Sequence, residues 1–197
     1  MEYIIVQAGG KGTRLGYLTR NKPKALVPIE NLPMIFHLFR KYPDKKFIVI
    51  GDYHRDVLRE YLSCFTDVKY QVVDARGTGT CSGIRQALDK IPSGHSFMLV
   101  WSDLILPEKL ELPEEPELDM IGISQTFPCR WSYHGGKFEE KNSQEHGVAG
   151  FFLFRDKDRL SGVPESWFGG CRLRECSFRK SAWRAQGNMV CWRSMNG

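Results

Sequence analysis

The stretch "VQAGGKGTRLGYLTRNKPKALVPI", residues 6–29, sets a glycine turn directly against fixed positive charge. Gly9, Gly10 and Gly12 carry no Cβ, so backbone N–H groups can approach phosphate oxygens there without obstruction. Arg14 offers a planar fork for two phosphate oxygens, and Lys24 offers a point charge. Lys22 lies beside it across Pro23. Glycines alone would make a turn; glycines with spaced cations make a cradle for a polyanion. The chemistry such a cradle performs is positioning and charge stabilisation at phosphorus, which requires no protein nucleophile.

Two familiar glycine motifs do not fit. A Walker loop needs Gly-Lys-Ser/Thr, whereas Lys11 is followed by Gly12 and Thr13. A dinucleotide fingerprint needs its last glycine inside a helix, but Gly16 precedes "YLTRNKPK", where Pro23 breaks any helix.

Composition narrows the class further. The chain has 197 residues, enough for one domain with a real core, and no apolar run approaches the length of a membrane span. The opening "MEYIIVQAGG" is too short for a signal peptide and reads as a buried first strand, so the expected compartment is the cytoplasm. The net charge of +5 admits nucleic acid or small anions as partners. The N-terminal cations, however, are interleaved with turn residues, which suits a small phosphate-bearing molecule better than a duplex. Tryptophans do not alternate with basic residues in a folded segment, so no nucleic-acid platform is expected. The cysteines at 64, 81, 129, 171, 176 and 191 lack metal-site or disulfide spacing and read as free, mostly buried thiols.

The elements that must position these residues alternate short apolar runs with amphipathic segments, the pattern of an α/β protein with a parallel sheet. Strands are expected over 3–8, 46–51, 68–74, 96–106, 120–126 and 147–155, and helices over 33–42, 55–65 and 83–91. Residues 9–31 read as a long loop with a half-turn, 106–119 as an acidic, solvated excursion, and 127–146 as polar and turn-rich. His37, inside an apolar helix, reads as a core or edge histidine. Because the glycine segment follows a strand, it belongs at the carboxyl edge of the sheet, where open α/β folds bind ligands.

The run "AGGKGTRLGYLTRNKPKALVPIENLPMI", residues 8–35, resembles the N-terminal signature of the sugar-phosphate nucleotidyltransferases, the NDP-sugar pyrophosphorylases. The resemblance implies a three-layer, Rossmann-like α/β fold with a mostly parallel central sheet. It implies a reaction in which a sugar 1-phosphate attacks the α-phosphorus of a nucleoside triphosphate and pyrophosphate leaves. It assigns nucleotide contacts to Ala8, Gly9, Gly10, Gly12 and Thr13, the leaving pyrophosphate to Arg14, and the shared phosphate charge to Lys24.

Three later stretches extend the likeness to about residue 160. "ARGTGTCSGIRQAL" resembles the loop bordering the base, with Asp74, Gly77, Gly79 and Thr80 as implied contacts. "VWSDLIL" places Asp103 where the family holds Mg2+, with Ser102 in place of the usual glycine. "FEEKNSQEHGVAGFFLFRD" resembles the sugar-side segment, implying that Glu140 accepts sugar hydroxyls, Lys141 reaches the sugar phosphate and Gly147 lines the pocket. Asn142 replaces the family's proline, and the family's second metal-binding aspartate has no clear counterpart. Two alternatives therefore stay open: a non-catalytic or truncated nucleotide-binding paralogue, or a cytidylyltransferase acting on a non-sugar phosphate such as phosphocholine. An NAD-dependent oxidoreductase is disfavoured by the fingerprint mismatch.

From about Pro164 the character changes. "ESWFGGCRLRECSFRKSAWRAQGNMVCWRSMNG" shows neither helical nor strand period and is rich in Trp, Cys and Arg, which reads as a basic tail that binds something or, more sharply, as a reading-frame slip in the gene. Regrouping its permitted codons by one frame allows Leu-Ala-Gly-Thr-Arg-Glu-Tyr-Gly-Leu-Leu-Glu-Glu-Tyr-Glu from Ala182 onward, ordinary amphipathic protein. The expected organisation is a nucleotidyltransferase core over 1–163, C-terminally incomplete, and an atypical tail over 164–197 that reads as frameshifted.

Overall fold

The run "YIIV" has no polar face, and a strand without one must be covered on both sides. Tyr3, Ile4, Ile5 and Val6 are accordingly all buried. The computed structural model describes residues 1–64, 67–75, 83–125, 127–134, 137–161 and 190–194. In chain order it has β1 (Tyr3–Gln7), two 3-10 turns (Thr13–Thr19 and Lys24–Leu26), β2 (Pro28–Ile29), β3 (Leu32–Pro33), α1 (Met34–Lys41), β4 (Lys46–Gly51), α2 (Arg55–Ser63) and β5 (Lys69–Asp74). There follow α3 (Ile84–Leu88), β6 (Phe97–Trp101), β7 (Met120–Ser124), β8 (Ser132–His134), β9 (Lys137–Glu139), β10 (Gly147–Phe154), α4 (Asp158–Ser161) and β11 (Val190–Ser194).

The main sheet has the order β11-β7-β10-β6-β1-β4-β5. β1 pairs in parallel with β4 and β6, and β4 with β5. β10 runs antiparallel to β6 and β7, and β11 antiparallel to β7. Side chains alternate across this sheet and build two cores. Ile4 and Val6 join Phe36, Phe39, Leu58 and Leu62 of α1 and α2. Tyr3 and Ile5 join Ile84, Ala87 and Leu88 of α3 on the opposite side. The result is the expected three-layer α/β architecture, with a mostly parallel sheet between helical layers.

Several local expectations are corrected. Residues 9–31 carry more than a half-turn: there are two 3-10 segments, the first kinked at Gly16 with φ 54° and ψ −120°, and β2 pairs with β3 in a small hairpin. The turn-rich stretch 127–146 contains the β8–β9 hairpin, joined to the sheet through Ser132 and Gly147. Three-residue strands are too short to show a period. The tail contributes a strand after all, Val190–Ser194, laid along β7. Main-chain pairing can extend an exposed edge with little regard to side-chain pattern. Of the cysteines, Cys64 is exposed and Cys129 buried, both free. Among the described residues no helix is long and apolar enough to cross a membrane.

The acidic excursion is also tied down more firmly than its charge suggests. Leu110 is buried, and Asp119 accepts the Arg155 backbone N–H at 2.9 Å and the Arg159 guanidinium at 3.1 Å. The Tyr42 hydroxyl donates to the Leu110 carbonyl at 3.0 Å, and burial pushes that phenol well above its ordinary pKa, so it stays a donor. Tyr42→Phe would leave the carbonyl unsatisfied inside the protein. The expected cost is about 1–2 kcal/mol, read as a lower urea midpoint with unchanged slope.

Candidate active site

The connections on either side of β1 leave it for opposite faces of the sheet. α1 and α2 carry the chain to β4 and β5 on one side of β1, and α3 returns it to β6 on the other. Such a reversal opens a crevice at the carboxyl ends of the two adjacent strands. Here those strands are β1, which runs into the glycine segment, and β6, which runs into Ser102 and Asp103. The seam is closed by the Ser102 N–H donating to the Gln7 carbonyl at 3.2 Å. Ser102, standing where a glycine was expected, is buried in this seam.

Lys24 is fixed at the rim of the crevice by its neighbours. Ala25 and Leu26 sink into the core shared with α1, and the Lys24 N–H donates to the Gly10 carbonyl at 3.4 Å. Its ammonium reaches across the crevice to donate to Asp103 Oδ2, so residues 79 positions apart meet as a partly exposed ion pair. Gly12 makes this approach possible. Its φ of +62° is costly for a side chain, and a Cβ there would lie 3.1 Å from both the Lys24 Cβ and the Thr19 methyl. Over Gly10 the space is open, with nothing within 4 Å of the position a Cβ would take.

The remaining expected residues are distributed unevenly. Ala8 is fully buried at the end of β1, with its N–H donating to the Ile50 carbonyl at 3.0 Å. Thr13 and Arg14 lie exposed on the 3-10 segment beside the cradle, and Arg14 has no ion pair among the described residues. Lys22 is half-buried next to Lys24. Asp74 ends β5 but turns toward α2, where Arg59 holds it at 2.8 Å and Arg55 at 3.6 Å. Gly77, Gly79 and Thr80 lie outside the described residues. On the sugar-side segment, the Arg130 Nε donates to Glu140 at 2.7 Å, Lys141 is exposed, and Gly147 packs against Cys129 and the Ser143 carbonyl. The structure thus unites the glycines, Lys24 and Asp103, keeps Arg14 at their edge, and engages Asp74 and Glu140 with arginines.

The sequence reading passed over three residues. The buried Thr19 hydroxyl donates to the carbonyls of Gly12 and Gly16 at 3.2 and 3.3 Å and so fixes the kinked segment. Tyr53 and His54, just past β4, both reach the Arg20 carbonyl. Their position at the carboxyl end of a parallel strand was the available signal, since every such end faces the same edge.

Asp103 is the residue that could hold a divalent ion. Lys24 takes Oδ2, and Oδ1 accepts no hydrogen bond among the described residues. One carboxylate suits Mg2+ only when phosphate oxygens and waters complete the shell. Among the described residues no group of three or more His, Cys, Asp or Glu side chains gathers to hold a metal unaided. The donor set fits an ion that arrives with a polyphosphate.

The model of the MobA-like NTP transferase domain matches residues 4–110, more than half of the chain. The chain belongs to that family. Bifunctional protein GlmU of Methanococcus maripaludis is 26% identical over 110 residues, covering 54% of this chain and 26% of the relative. UTP–glucose-1-phosphate uridylyltransferase AglF of Haloferax volcanii is 35% identical over 60 residues, covering 29% of this chain and 25% of the relative. This chain therefore spans about a quarter of the length of these curated relatives. The fold matches the solved structure of the inositol-1-phosphate CTP transferase from T. maritima with a TM-score of 0.65 at 17% identity, covering 84% of this chain and 74% of that one. The matched region of the family model contains the glycine segment, Lys24 and Asp103.

Proposed function

We propose that this protein transfers a nucleoside monophosphate from an NTP to a sugar 1-phosphate, releasing pyrophosphate. The observation that carries the reading is the meeting of Lys24 and Asp103 over the glycine segment at the β1/β6 crevice. An acceptor phosphate oxygen forms a bond to the α-phosphorus as the bond from that phosphorus to the bridging oxygen breaks, and pyrophosphate departs with the electron pair. Gly10 and Gly12 present the backbone to the phosphates. Lys24 balances the charge shared by attacking and α-phosphates, and Arg14 grips the departing pyrophosphate. Asp103 would hold Mg2+, which supplies charge neutralisation along the phosphate chain when bound. Glu140, Lys141 and Gly147 are assigned to the acceptor side, and Asp74, Gly77, Gly79 and Thr80 to the base side.

The partners in this reading are the triphosphate and the phosphorylated acceptor, with neither nucleic acid nor membrane, in the cytoplasm. In this reading residues 1–163 are the nucleotidyltransferase core, C-terminally incomplete, and 164–197 an atypical tail read as frameshifted, of which Val190–Ser194 lie along β7. DNA sequence across codons 163–168 tests that assignment, and a clean in-frame gene would defeat it.

Pyrophosphate release, assayed with ATP, CTP, GTP and UTP against glucose 1-phosphate, inositol 1-phosphate and phosphocholine, tests the reaction. Release with glucose 1-phosphate and one or more NTPs is the expected outcome. Release confined to phosphocholine would move the acceptor to a non-sugar phosphate. Nucleotide binding without any release would make the chain a nucleotide-binding paralogue. Arg14→Ala should weaken the productive grip on the triphosphate by about 10- to 100-fold in kcat/KM. That is the scale of a charged hydrogen bond, about 1.5–3 kcal/mol.

A further inference from the structure

We infer that Tyr53 and His54 are positioning residues that clamp the glycine segment in its phosphate-binding shape. This inference rests on the nucleotide reading above and adds two residues that the signature does not contain. The loop after β4 touches the glycine segment at both of its ends. At the near end, a Cβ on Gly9 would lie 2.7 Å from the Asp52 Cβ, and the Tyr53 N–H donates to the Gly9 carbonyl at 3.4 Å. At the far end, the Arg20 carbonyl accepts from His54 Nε2 at 3.0 Å and from the Tyr53 hydroxyl at 3.4 Å. Between them, the Lys11 ammonium lies over the Tyr53 ring, 5.8 Å from its centroid. The two aromatic rings brace each other edge-on at 4.2 Å.

His54 holds this place at a conformational cost. Its φ is +48° and its ψ +40°, the left-handed region that is uncommon for any residue with a Cβ, although histidine enters it more readily than most. It occupies the N-cap of α2, yet its side chain caps no helix N–H; the ring goes to Arg20 instead. The backbone stays tied to the helix, its carbonyl accepting from the Leu58 N–H at 3.1 Å. A glycine or asparagine would adopt this backbone more readily, but neither reaches the Arg20 carbonyl. The strain is the geometric condition for spanning from β4 to the lip of the phosphate segment.

The test separates the ring's reach from the backbone it imposes. His54→Asn keeps the left-handed preference and loses the reach; His54→Gln restores an amide donor of similar length; Tyr53→Phe removes only the hydroxyl. Hydrogen exchange on the ligand-free protein should accelerate at the 10–19 amides in His54→Asn by about tenfold, with Tyr53→Phe smaller and His54→Gln close to wild type. Calorimetric titration with ATP, CTP, GTP and UTP, each with Mg2+, should show about fivefold weaker binding of the preferred nucleotide in His54→Asn, again restored by His54→Gln. Affinity for the acceptor phosphate should stay unchanged, which a merely structural role would not predict. Unaltered exchange over 10–19 in His54→Asn overturns the clamp, and so does nucleotide affinity equal to wild type. Wild type that binds no nucleotide while the exchange pattern holds would instead defeat the nucleotide reading and leave the clamp standing.

Discussion

Lys24→Ala is expected to lower pyrophosphate release by roughly 100- to 1000-fold while leaving the melting temperature nearly unchanged. The two halves of that expectation have separate causes. Lys24 and Asp103 are each partly exposed, so solvent screens their attraction and its loss costs the fold little. The catalytic loss is large because the lysine is preorganised. Ala25 and Leu26 anchor the turn in the core, the Gly10 carbonyl holds the Lys24 N–H, and the ammonium already stands at the crevice before any ligand arrives. In the proposed reaction, removing it takes charge from the point where negative charge accumulates in the transition state. It also leaves Asp103 facing the phosphates without a counter-charge. Lys24→Arg should recover only part of the rate, since a planar fork does not occupy the place of a compact ammonium. A release assay paired with a thermal melt measures both halves. Near-normal turnover in Lys24→Ala would remove the residue from the chemistry.

How much of this was legible before the structure depends on the residue. β1, β4 and β6 announced themselves because buried parallel strands are written as continuous apolar runs, although β6 ends at Trp101, five residues before the expected bound; β5, half-exposed at the sheet edge, came out within one residue. The ligand-binding edge followed from the glycine segment's place after a strand, and Lys24 and Asp103 were named from resemblance to a known signature. Direction of a side chain at a strand end did not. Asp74 sits at the edge where ligands bind, but Arg55 and Arg59 one turn apart on α2 draw its carboxylate aside, and nothing in "VVDARG" encodes that pairing. Glu140 is similarly drawn to Arg130, ten residues upstream across the β8–β9 hairpin, whose strands are too short to have a readable period. The left-handed turn at His54 was illegible for another reason. Few residues with a Cβ adopt that conformation, and the contact that the ring makes there is with Arg20, 34 positions away in the sequence.

Asp103→Asn supplies a sharper test, because the two functions of that carboxylate move two measurements in opposite directions. Turnover should fall by about 100- to 1000-fold, since an amide is a poor ligand for the divalent ion expected to align the phosphates. Binding of metal-free pyrophosphate should at the same time strengthen, by about tenfold. In the ligand-free site the Asp103 carboxylate both repels phosphate oxygens and occupies the Lys24 ammonium. Neutralising it removes the repulsion and releases the lysine. At an effective dielectric constant near 20, contact-range charges interact by a few kcal/mol, and solvent screening at this partly exposed site reduces the net gain to roughly 1–2 kcal/mol. Calorimetry with pyrophosphate in the presence of a chelator reads this directly, without reference to catalysis. Lys24→Ala combined with Asp103→Asn should abolish the gain, because the freed ammonium is its source. If Asp103→Asn bound metal-free pyrophosphate no better than wild type, the ion pair would not govern access to Lys24, and the charge balance assigned to this crevice would be wrong.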